Sequence, residues 1–132
     1  MGGTYRDLRA WQNAMELALK IYHATSRFPR DEMYGLTAQL RRAAVSVPSN
    51  IAEGKGRSSD KELLQFLSRA RGSVYELQTQ LEVAKSLGYL SSVDHLGMVE
   101  QADDVGRMLN GMMAKIRQAV SDSAAQFRKP KA

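Results

Sequence analysis

Residues 39–57 read QLRRAAVSVPSNIAEGKGR. In and just before this stretch, Leu36, Leu40, Ala43, Ala44, Val47 and Ile51 recur at steps of three and four. That is the period of an amphipathic helix and not the alternation of a strand. Pro48 falls inside the run, yet the apolar register continues past it. The expectation is therefore a bent helix that continues, with the Ala44 carbonyl deprived of its amide partner. Gly54-Lys55-Gly56 reads as its stop, with Gly54 as a left-handed cap. Upstream, Phe28-Pro29 closes the preceding segment, because a residue before proline avoids the helical region. Asp31 and Glu32 would then place negative charge at the positive end of the helix, giving bounds of about Asp31 to Glu53.

The same period runs outward in both directions. A helix from about Asp7 to Ser26 carries Leu8, Trp11, Met15, Ala18 and Tyr22 as a stripe, widened by Ala14 and Leu19. A third helix opens on a capping box, Ser59 with Glu62, and reaches about Leu87 through Leu63, Phe66, Leu67, Ala70, Val74, Leu77, Leu81 and Ala84. Gly88 closes it. The fourth begins after Ser91-Ser92 and runs to about Ser121 through Leu96, Val99, Ala102, Leu109, Met113, Ile116 and Val120. Connections this short make successive helices antiparallel neighbours. The chain thus reads as an all-α, antiparallel up-down four-helix bundle over residues 1–125, followed by a basic, disordered tail over 126–132. Gly35 and Gly72 fall inside helices in this reading, where close helix approach would offset their poor helix propensity.

Composition excludes several classes of function. The 132 residues contain no cysteine, which removes disulfides, thiol nucleophiles and thiolate metal sites. No apolar run is long enough to span a membrane. The opening residues lack a signal-peptide pattern, and Arg6 stands where a myristoylation site needs Ser or Thr. A cytoplasmic protein with no cofactor is expected. His23 and His95 have no ligand-spaced partner and read as solvent or helix-end histidines, so no metal is expected. Met108, Met112 and Met113 read as core filling.

Two polar stripes remain. Arg42, Ser46, Ser49 or Asn50, and Glu53 lie on one face of the second helix. Gln65, Arg69, Ser73, Glu76 and Gln80 lie on one face of the third. Their first reading is a structural network, within the bundle or between subunits, carried by Arg42, Asn50, Glu53, Arg69 and Glu76. The second is a surface for a polynucleotide or peptide. A catalytic carboxylate–guanidinium site comes last, because nothing singles out a nucleophile or a tuned acid–base pair. Residues 54–59, GKGRSS, fail the spacing of a phosphate loop and no strand precedes them. Lys55 and Arg57 nevertheless stand just before a helix N-terminus, where anions are favoured.

Three stretches, DLRAWQNAMELA, FPRDEMYGLTAQLRRAAVSVPSNIAEGKGR and ARGSVYELQTQLEVAKSLGYL, together resemble the four-helix-bundle proteins encoded in intervening sequences of bacterial large-subunit ribosomal RNA genes. The resemblance covers roughly residues 5 to 117, and SVPSNIAEGKGR is its most specific part. It implies a left-handed bundle that assembles as a homopentamer. It also implies kinship with the accessory variability protein of diversity-generating retroelements, a basic pentamer that binds a reverse transcriptase and nucleic acid. The leading expectation is a non-enzymatic oligomeric scaffold that contacts RNA or DNA through Arg41, Arg42, Lys55, Arg57, Arg69 and Arg71. Between Arg41 and Arg71 lie seven basic and three acidic side chains, +4 of the chain's formal +5. The alternative is an adaptor that docks a partner protein on the bundle exterior.

Overall fold

The computed structural model describes residues 3–128. Its four helices are α1 (Arg9–Thr25), α2 (Leu36–Lys55), α3 (Asp60–Ser86) and α4 (Ser92–Arg128), with short 3-10 turns at Tyr5–Asp7 and Arg30–Glu32. No strand occurs among the described residues. Each helix packs on its neighbour in sequence, α1 closes against α4, and the α2–α3 interface is the most extensive. The expected four-helix bundle is borne out.

Local chemistry explains most of the boundaries. Thr4 and Asp7 form a reciprocal capping box on the first turn, with the Thr4 amide donating to Asp7 Oδ2 at 3.0 Å. At α3 the Ser59 hydroxyl accepts from the Glu62 amide at 3.2 Å, the forward half of the expected box. The α3 C-terminus is a Schellman motif. Gly88 has φ +79°, its amide donates to the Lys85 carbonyl, and the Tyr89 amide reaches back to Ala84. Helix α2 runs unbroken through Pro48, whose ring is buried.

Four expectations need correction. Helix α2 starts at Leu36 and not near Asp31, because the chain turns at Gly35 with φ −108° and ψ −114°. Glu32 still serves the helix from outside: its Oε1 accepts from the Leu36 amide at 3.1 Å. Gly54 is helical and not left-handed; the one positive-φ residue among those described is Gly88. Gly72 is exposed, and a Cβ there would meet nothing, so it makes no close approach within the chain. Helix α4 continues past Ser121 to Arg128, because no proline or glycine interrupts 112–128. The basic-tail expectation otherwise falls on 129–132, outside the described residues.

The core is one cluster in which each helix contributes a stripe. Leu17 and Ile21, Leu40, Val47 and Ile51, Leu67, Val74, Leu77 and Leu81, and Val105, Leu109 and Met113 are all fully buried. Fully burying a side chain of this size contributes about 1.5–3 kcal/mol. On α1 the buried stripe is Ala10, Ala14, Leu17, Ala18 and Ile21, about one residue round from the expected one. The expected Leu19 and Tyr22 are exposed. With Trp11, Met15, Val45 and Pro48 they line a largely apolar groove of about 340 Å³ on the outside of α1 and α2. On α4, Leu96 and Val120 are likewise exposed, and Met98 and Val105 take core positions. Beyond Ile116 no described side chain of α4 is buried, so the last three turns project past the bundle.

Candidate nucleic-acid interface

Among the six basic residues singled out by sequence, the structure gathers Lys55, Arg57 and Arg69 around the α2–α3 connection. Lys55 is the last residue of α2 and is exposed. Arg57 follows in the connection, and Arg69 lies on α3. Both guanidinium groups stack on one ring: Arg57 Cζ is 4.6 Å and Arg69 Cζ 4.7 Å from the centroid of Phe66. Phe66 is 8% exposed. Its seat against α2 depends on Gly54, where a Cβ would come within 2.9 Å of Phe66 Cβ and 3.1 Å of Leu63 Cδ1. Among the described residues, neither arginine side chain has a carboxylate within ion-pair distance. A basic side chain lies within 4.0 Å of a carboxylate, among the described residues, only at His95–Glu82 and Arg107–Asp104.

The other three basic residues go elsewhere. Arg41 lies near the opposite end of α2, roughly 21 Å from Lys55 at 1.5 Å per residue. Its Nε donates to Thr25 Oγ1 at 2.9 Å and its Nη2 to the Tyr22 carbonyl at 3.3 Å. Its Cζ lies 4.6 Å from the centroid of the Tyr22 ring. Arg41 therefore clamps the C-terminal turn of α1, where cations and donors are favoured. Arg71 donates to Asn110 Oδ1 at 3.0 Å and faces α4. Arg42 is exposed and lines a cleft between α2 and α3.

That cleft is where the two polar stripes meet. Gln39, Arg42 and Ser46 face Ser73, Glu76 and Gln80 around a volume of about 560 Å³. Ser46 and Ser73 hydroxyls are hydrogen-bonded at 2.8 Å, and Asn50 Nδ2 donates to the Ser46 carbonyl at 2.8 Å and to its hydroxyl at 3.0 Å. The stripes are thus joined across the helices by the Ser46–Ser73 hydroxyl pair, and Asn50 braces Ser46 from within α2. Arg42, Glu53, Arg69 and Glu76 form no ion pair within the chain among the described residues. Gln80 Oε1 is buried without a partner.

Several contacts were not read from sequence. His95 is buried and not solvent-facing, with Nε2 2.8 Å from Glu82 Oε2. The Tyr89 hydroxyl donates to Glu32 Oε2 at 3.0 Å, and its ring packs on Phe28 at 5.3 Å between centroids. The hydrogen bond to Glu32, aided by burial and the charges of Glu32 and Asp31, raises the Tyr89 pKa above its ordinary 10.0. Arg6 lies over the Tyr5 and Trp11 rings at 5.4 and 6.0 Å. Of the methionines expected in the core, Met113 is buried and Met108 and Met112 are half-buried. No three His, Asp or Glu side chains among the described residues are grouped to hold a metal ion. No described helix is long and apolar enough to cross a membrane.

Four helices joined by short connections, with a polar seam along the broadest interface, define an all-α bundle protein. The family model described as 23S rRNA-intervening sequence protein matches residues 6–111, and the chain belongs to that family. A solved structure from Bacteroides thetaiotaomicron, described as a protein with unknown function from the S23 ribosomal protein family, has the same fold. Its TM-score is 0.72 at 17% identity, over 79% of this chain and 97% of that one. No curated protein matches.

Proposed function

We propose that this protein is a non-enzymatic, cytoplasmic, oligomeric scaffold that contacts RNA or another polynucleotide at the α2–α3 end of the bundle. The observation that carries this reading is the pair of arginines, Arg57 and Arg69, on one ring with no carboxylate partner among the described residues. Lys55 adds a third positive charge. Such a surface gains affinity by neutralising phosphates, so binding is salt-dependent and indifferent to sequence. Arg41 and Arg71 stand outside the contact set in this reading: Arg41 donates twice to the end of α1, and Arg71 donates to Asn110 on the α4 side. Arg42 lies on the α2–α3 face but roughly 20 Å along α2 from Lys55, outside this end of the bundle.

The oligomer is a homopentamer in this reading. Its support is the family membership together with surface that a lone bundle leaves unpaired: the α2–α3 cleft and the apolar α1–α2 groove. The same groove favours a second reading, an adaptor that docks a partner protein on the exterior. A titration of structured and single-stranded RNA at several salt concentrations separates the two. The scaffold reading predicts binding at ~50 mM salt, where charge contacts are least screened, and a flatter salt slope in a Lys55→Glu, Arg57→Glu variant. The Lys129→Glu control should matter less. No wild-type binding at that salt retires the polynucleotide and leaves the adaptor. Light scattering that gives a mass near the 14.7 kDa chain retires the pentamer.

A further inference from the structure

Arg57 and Arg69 pose a physical problem. Two like charges sit against one ring, and an uncompensated pair repels. The nearby acids are Glu53 at the end of α2 and Asp60 and Glu62 in the first turn of α3, and none lies within 4.0 Å of either guanidinium. Neither side chain donates a hydrogen bond among the described residues, although the backbone amide of Arg57 is tied to the Gly54 carbonyl at 3.1 Å. Stacking on an aromatic face leaves a guanidinium's in-plane N–H groups free to meet an oxyanion. What holds both groups in place is Phe66, and what seats Phe66 is the missing side chain at Gly54.

We propose that Phe66 is the positioning residue of this surface: its ring holds the Arg57 and Arg69 guanidinium groups, at 4.6 and 4.7 Å from its centroid, as a cradle for the phosphodiester backbone. The inference rests on the polynucleotide reading above and adds a residue that does not itself touch the ligand. An anion between the guanidiniums removes their repulsion and supplies the acceptors both lack. Free of the ring, each arginine would lose rotamer freedom separately on binding; on the ring, part of that loss is already incurred on folding.

The test is an anisotropy titration of the full chain with a hairpin and a single-stranded RNA at several salt concentrations, with inorganic phosphate titrated separately. Phe66→Leu keeps an apolar side chain against Gly54 but removes the ring; Phe66→Tyr keeps the ring. Thermal melts check that each variant is folded. The cradle predicts that Phe66→Leu weakens RNA binding roughly 5- to 30-fold, the scale of two exposed cation–π contacts, and that Phe66→Tyr restores it. In an Arg57→Ala, Arg69→Ala background, Phe66→Leu should have no further effect, because the three act as one unit. Wild-type binding with an unchanged affinity and salt slope in folded Phe66→Leu overturns the cradle alone. So does a Phe66→Tyr variant as weak as Phe66→Leu. Loss of RNA binding by the wild type, with inorganic phosphate still held through Phe66, overturns the polynucleotide reading and keeps an anion cradle. Binding of neither overturns both.

Discussion

Arg41 and Arg57 make nearly the same aromatic contact and have opposite fates. Each guanidinium carbon sits 4.6 Å from a ring centroid, Tyr22 for Arg41 and Phe66 for Arg57. At the α1–α2 end, Arg41 also donates to the Thr25 hydroxyl and the Tyr22 carbonyl, so its charge closes α1. At the α2–α3 end, Arg57 shares its ring with Arg69 and donates from its side chain to nothing described. An arginine on an aromatic ring is therefore not defined by the ring. Where its N–H groups go decides whether it belongs to the fold or to a ligand.

The comparison breaks most visibly at Gly54. Gly54→Val should cost about 3 kcal/mol, because a branched side chain cannot enter a contact where a Cβ alone meets Phe66 Cβ at 2.9 Å. Urea denaturation would show a lower midpoint at unchanged slope. At the other end, Arg41→Ala should cost about 2 kcal/mol by unpairing the α1 terminus, with no change in the salt slope of RNA binding. If Arg41→Ala instead leaves the midpoint in place and flattens the slope, the two arginines have been assigned the wrong way round.

A smaller effect comes from Tyr89, which ties the α3–α4 corner to Glu32. Its pKa is raised in the folded state, so the hydrogen bond contributes stability below the unfolded value of about 10. That contribution fades as pH rises through the higher folded value. Tyr89→Phe should therefore be less stable than wild type at neutral pH and converge with it in strong alkali, as followed by thermal melts from pH 8 to 11. The smallest effect on stability is expected at Arg57 and Arg69 themselves. Arg57→Ala and Arg69→Ala should stay within about 0.5 kcal/mol of wild type, as exposed side chains outside any network do, while weakening RNA binding.

Periodicity carried the fold. Helix number and order, passage through Pro48, the Ser59 cap and the Gly88 stop all depend on local chemistry, which a linear reading sees. What it missed depends on contacts across the bundle. Gly54 follows an apolar run and precedes a second glycine, so it reads as a cap; its reason is Phe66, twelve residues on and across an interface. Arg41 and Arg42 are adjacent and look equivalent, yet a helix turns about 100° between them, sending one to α1 and the other to the α2–α3 cleft. Trp11, Met15, Leu19 and Tyr22 make as good an apolar stripe on α1 as Ala14, Leu17 and Ile21. The stripe flanked by Ala10, Ala14 and Ala18 lets the neighbouring helices close in around Leu17 and Ile21, while Leu19 and Tyr22 are left exposed and Trp11 packs at the edge of the core.

The most direct test is hydrogen exchange at the arginine Nε–H groups, read by nitrogen-15 NMR in the free protein and with hairpin RNA at ~50 mM salt, where screening is weak. The predicted result is a slowly exchanging Arg41, bonded to Thr25 with or without RNA, beside Arg57 and Arg69 that exchange freely alone and become protected when RNA is added. Arg57 and Arg69 protected in the free protein, or unchanged at saturating RNA, would contradict the account.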